Sequence, residues 1–146
     1  MLVVVCIIAL IAAVAAPSVT AGLDSVRLRT ASDSIAAFLN AAVNRSERLQ
    51  QAIDVEISPK ENSLKLYSSD PGFTRELHMP RGIVIEGILP KSADGMGDDS
   101  RRIILLPGAT IPGMGVQIAN EHGSHRIIRL DPMTGFPHIE AVGVSQ

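Results

Sequence analysis

At 146 residues the chain has the length of one domain with a modest core. Aromatic residues make up 3%, with no Trp and Tyr67 as the single Tyr, which excludes a nucleic-acid surface built on stacked aromatics. A net charge of -2 and a pI near 6.0 exclude a strongly basic polyanion binder. Cys6 is the only cysteine, so no intramolecular disulfide can form. Its apolar neighbours make it a small packed hydrophobe rather than a reactive thiol.

The first element runs from Met1 to Leu23 without an ionisable side chain other than Cys6. As a helix this stretch reaches roughly 35 Å, enough to cross a hydrocarbon core of about 30 Å. The expectation is a membrane-spanning or filament-core helix lined by Leu2, Val3, Val4, Val5, Ile7, Ile8, Leu10, Ile11 and Val14, with a kink at Pro17. A secretory signal peptide competes with that reading. Val19-Thr20-Ala21 ahead of Gly22 has the small-x-small form of a cleavage site, but no basic region precedes the apolar run.

From Asp24 the pattern becomes amphipathic. Leu28, Ile35, Leu39, Ala42, Val43, Leu49 and Ile53 recur mostly at steps of three, four or seven and gather on one helix face. Arg27, Arg29, Asp33, Asn40, Arg45, Glu47 and Arg48 fall largely elsewhere. No Gly or Pro interrupts the chain from Leu23 to Ser58, and Pro59 sets an outer limit. The spacing predicts one long helix, with residues 24–53 continuing the apolar 1–23 segment. Two helices joined near Pro17 to Gly22 are the alternative.

Beyond Gln51 the period shortens to two. AIDVEIS, SLKLYS, FTRELHM and GIVIEG alternate at least partly and are separated by the turn-rich SPKEN, SDPG and PR. KSADGMGDDS breaks the pattern as a surface loop. RRIILLP, MGVQIAN, SHRIIRLD and GFPHIEAV then resume it, with NEHGS and DPMTG as tight turns that use Gly123 and Gly135. Residues 54–146 therefore read as a β-rich globular domain. The fold expected is α+β, a long N-terminal helix packed through Leu28, Ile35, Leu39 and Val43 on an antiparallel sheet. The apolar sheet face would carry Val55, Ile57, Leu64, Leu66, Ile83, Ile85, Ile104, Val116, Ile118, Ile128 and Leu130.

The run MLVVVCIIALIAAVAAP resembles the start of a type IV prepilin-like protein. The downstream part is similar to the minor pseudopilin H family of type II secretion systems and to FimT-type minor pilins. The likeness rests on Ile103-Ile104-Leu105-Leu106-Pro107-Gly108, on Gly115-Val116-Gln117-Ile118, and on Arg129-Leu130-Asp131-Pro132-Met133-Thr134-Gly135. Its family-like turns are Pro107 and Gly108, then Asp131, Thr134 and Gly135. In the family a basic leader, a glycine, a phenylalanine and a "TLIE" segment precede the apolar run, so Met1 aligns just after the characteristic glutamate. The resemblance implies a start internal to a longer precursor, a pilin-like fold, and a single-pass subunit of the bacterial inner membrane with its C-terminal domain in the periplasm. It also implies a filament of other pseudopilins or pilins as partners, with secreted cargo as a further one. It implies no cofactor and no catalysis.

The residues themselves point to no chemistry. His122 and His125 have a spacing found in metal sites, but no Cys or carboxylate cluster accompanies them in sequence. Asp94, Asp98 and Asp99 do not have the spacing of a calcium loop. Ser100 has no partnering His, and GATIPGMG lacks the features of a phosphate loop. Arg101, Arg102, Arg126 and Arg129 could form a basic patch on adjacent strands, yet they read better as an ordinary polar sheet edge, and nucleic acid is not expected as a partner. The reading from a different class is a secreted β-domain binding protein with a signal cleaved near Ala21.

Overall fold

The computed structural model describes residues 1–70, 72–91 and 100–142, and within the helix it describes the backbone alone over residues 16–21. One helix, α1, spans Leu2–Leu49. It passes through Pro17 and Gly22 as a single element, so the two-helix alternative does not hold. It ends where Gln50 turns left-handed (φ 52°, ψ 42°) and its amide donates to the Ser46 carbonyl. The Gln50 side chain caps a second free carbonyl, donating to Glu47 O at 2.7 Å. Ile53 is therefore not on the helix; it opens the first strand.

The expected membrane span is corrected by the structure: among the described residues no helix is long and apolar enough to cross a membrane. From Asp24 onward the helix carries Asp24, Arg27, Arg29 and Asp33, which belong in water. The single-pass inner-membrane placement is withdrawn with it.

Eight strands follow: β1 (Ile53–Ser58), β2 (Ser63–Ser68), β3 (Thr74–His78), β4 (Ile83–Leu89), β5 (Arg101–Leu105), β6 (Gly115–Asn120), β7 (His125–Leu130) and β8 (Pro137–Val142). They form two four-stranded antiparallel sheets rather than one, in the orders β3-β2-β1-β5 and β4-β6-β7-β8. Alternation marks a strand but does not name its neighbour. Here β5 returns to β1 across the whole of β2 to β4, pairing Ile53 with Leu105 and Val55 with Ile103.

That register corrects one inward residue. Ile103 and Leu105 lie opposite Val55 and Ile53 and are buried with them, while Ile104 points outward and is 54% exposed. In a run of four consecutive aliphatics the phase of the pleat cannot be read from the chain. Cross-strand partners decide it.

The helix lays Leu28, Ala31, Ile35, Phe38, Leu39 and Ala42 into a core shared with inner residues of both sheets. Val43 is half-buried against that core. Ile35 and Leu39 are fully buried, each contributing about 1.5–3 kcal/mol from lost water contact. Phe38 was not anticipated, though it stands three residues after Ile35, on a neighbouring part of the same helix face. Leu49, expected on the buried face, is 45% exposed because the helix ends there.

Candidate assembly surface

Among the described side chains of α1, Leu28 is the first that is buried. Ahead of it Leu2, Val3, Val4, Val5, Ile7, Ile8, Leu10, Ile11 and Val14 are all exposed, none below 51%. A helix segment apolar on every side needs other apolar surface to cover it. Ala9, Ala12 and Ala13 leave shallow places between the large side chains, where another helix backbone can approach closely. Cys6 is exposed within the same segment. The side chain of Pro17 lies outside the described residues, as does the Val19-Thr20-Ala21 motif.

The helix emerges from the globular part near Asp24. His122, in the turn between β6 and β7, places its Nδ1 3.2 Å from Asp24 Oδ2, and Arg27 Nη1 stands 3.4 Å from Asp24 Oδ1. One carboxylate thus joins a hairpin tip to the helix. Both pairs are open to water and are worth little singly.

At the opposite end of the domain, two turns meet the last turns of α1. Gly108, at φ +67°, donates its amide to Glu47 Oε1 at 3.0 Å. A Cβ on Gly135, at φ +72°, would come within 2.5 Å of Ile111 Cδ1, the far end of that side chain, and 3.3 Å of Val43 Cγ1. The Asp131 carboxylate organises this second turn. Its Oδ1 accepts from the Met133 amide at 2.8 Å and the Thr134 amide at 3.3 Å, and Gly135 N donates to the Asp131 carbonyl at 2.8 Å. Those amides, Met133 first, hold the Asp131 carboxyl below the usual carboxylate range. Ser46, buried, ties the same region together, its hydroxyl donating to Gln51 O at 2.9 Å and lying 3.2 Å from Leu105 O. Pro107, Gly108, Asp131, Thr134 and Gly135 are therefore positioning elements that clamp the helix from both sheets' loops. Ser46 and Glu47, the helix side of that clamp, carry no period signal in the sequence and were missed.

The histidines are dispersed. His78 lies beside Glu76, His122 beside Asp24, His125 Nδ1 2.7 Å from Glu86, and His138 beside Asp131. Glu86 owes its place to a bulge between Ile85 and Gly87, and it also accepts from Gln117 Nε2 at 2.8 Å. Among the described residues no group of three His, Cys, Asp or Glu side chains could hold a metal. Asp94, Asp98 and Asp99 lie outside the described residues.

The four arginines considered for a basic patch are split between the sheets. Arg101 and Arg102 are on β5, with Arg101 Nη1 donating to Pro90 O and Arg102 Nη2 3.7 Å from Glu56 Oε2. Arg126 and Arg129 are on β7 of the other sheet, where Arg129 Nε stands 3.7 Å from Glu140 Oε1.

Fold and surface together define an α+β protein whose two antiparallel sheets share one long helix, with the bare apolar end of that helix as its prominent surface. No protein-family model, curated protein or solved structure matches the chain.

Proposed function

We propose that this protein is a pilin-like filament subunit, a minor pseudopilin of a type II secretion system, which assembles through the apolar start of α1. One observation carries the reading: the exposed aliphatics from Leu2 to Val14 belong to the same unbroken helix that anchors the two-sheet domain from Leu28 to Ala42. Such a helix packs against equivalent helices to form a filament core, and the domain is carried on the outside. Adding subunits lengthens the filament and pushes exported protein. The subunit's part is structural rather than catalytic, and its partners are other pseudopilins, with cargo contacted by the domain.

Continuity of the helix favours this reading over a cleaved signal, since removal before Gly22 would divide one secondary-structure element. A FimT-type role in DNA uptake draws no support from Arg101, Arg102, Arg126 and Arg129, which the fold divides between two sheets.

A photo-reactive amino acid at Ile8 in the native host tests the proposal. The expected adducts are to proteins carrying their own pilin-type apolar N-terminal helix, and Ile7→Asp, Ile8→Asp and Ile11→Asp together should abolish both the adducts and export. Adducts confined to unrelated proteins, or export unchanged in the triple variant, would sink it.

A further inference from the structure

An open cavity of about 370 Å³ lies between the last turns of α1 and the inner side of β2 and β3, lined by Asn44, Arg45, Arg48, Leu66, Phe73 and Arg75 among others. None of its described lining residues is acidic. The Arg45 guanidinium lies 3.5 Å over the Phe73 ring, and its buried Nε makes no hydrogen bond. Neither Arg48 nor Arg75 forms an ion pair or side-chain hydrogen bond with any described residue. Arg75 stands opposite Leu66, whose buried side chain fixes that side of β3 as the one facing the helix.

Attraction to the helix's negative end accounts for Arg48, in the last turn. It does not account for Arg75, which comes from a different element. Three arginines line one groove with no acidic residue among its described lining, and one of them is already held flat by an aromatic face, its in-plane N–H groups available to fork onto a planar carboxylate.

We propose that this groove binds a carboxylate side chain of an extended acidic peptide segment laid against β3. β3 is an edge strand, with β2 on one side and no strand among the described residues on the other. A chain pairing along that free side shares the pleat of β3, so every second residue projects on the Arg75 face. A Glu or Asp there reaches the three arginines, and an apolar neighbour covers Leu66 and Phe73. A nucleic acid suits the groove less well: Arg45 already occupies the face of Phe73 on which a base would stack. The proposal is independent of the filament reading.

The test is calorimetric titration of the full chain with the peptide Ac-Thr-Glu-Val-Glu-Thr-amide, its Glu-to-Gln counterpart, inorganic phosphate and a short single-stranded DNA. Binding of the Glu peptide alone, weakened about tenfold by either Arg45→Gln or Arg75→Gln, is the expected result. Arg75→Glu should bind a Lys-containing peptide in place of the acidic one, a rescue that a misfolded variant could not give. Equal binding of the Gln peptide, affinity unmoved in both variants, or tighter binding of phosphate or DNA than of the Glu peptide would overturn the proposal.

Discussion

Gly135 offers a direct measure of how firmly the Asp131 turn is pressed onto the helix. An alanine there must adopt φ +72° and place its Cβ 2.5 Å from Ile111 Cδ1 and 3.3 Å from Val43 Cγ1. The left-handed conformation alone costs about 1–2 kcal/mol for a non-glycine residue. Overpacking adds about 1–3 kcal/mol, because Ile111 must rotate away or the turn must lift from Val43. Gly108 is the internal control, since it has φ +67° and nothing within 4 Å of its would-be Cβ. Gly108→Ala should therefore lose about 1–2 kcal/mol and Gly135→Ala about 2–5 kcal/mol, the difference reporting the contacts with Ile111 and with Val43 of the helix. Urea unfolding with unchanged m-values reads both losses. Ile111→Ala in the Gly135→Ala background should recover part of the excess by removing the obstructing methyl. Equal destabilisation of the two single variants would refute the claim that the turn is seated against Ile111 and Val43.

Ile35→Asp with Leu39→Asp buries two carboxylates in a fully dehydrated part of the core, and should cost several kcal/mol and abolish the cooperative thermal transition, read by circular dichroism; an unchanged melting temperature would contradict the packing. Asp131→Ala should show a pH-dependent deficit. The folded carboxyl is depressed, so its stabilisation is present above the ordinary carboxylate range and is lost as pH falls through the folded value. The difference in melting temperature from the parent protein should accordingly be largest near neutrality and vanish in strong acid, and a deficit constant across pH would argue against the amide contacts of Met133 and Thr134.

Much of the fold was legible because both periods are strong. Each strand-like segment, from AIDVEIS to GFPHIEAV, became a strand, and the helix put Leu28, Ile35 and Leu39 in the core by their spacing. What could not be read is long-range. That β5 joins β1 while β4 joins β6 depends on tertiary pairing, so one expected sheet became two and Ile104 changed sides. The apolar start of α1 was legible as apolar, while the expected membrane span was not borne out, since among the described residues no helix is long and apolar enough to cross a membrane. The arginine groove was invisible, as Arg45 and Arg48 come from the helix and Arg75 from a strand that sequence alone does not place beside it.

The strand orders carry a consequence for how the polypeptide acquires its shape. β4 departs from the first three strands to start the second sheet, and β5 goes back to complete the first before β6 rejoins β4. Severing the chain between β4 and β5 would leave one fragment holding β4 without a ladder partner and the other holding β5 without one. Neither half is self-sufficient. The sheets are interleaved along the chain, so β1 waits for β5 across a long loop closure, and folding is governed by high contact order rather than by the quick local hairpins. Such a domain is expected to melt as a single cooperative unit, with no stable half for proteases to find.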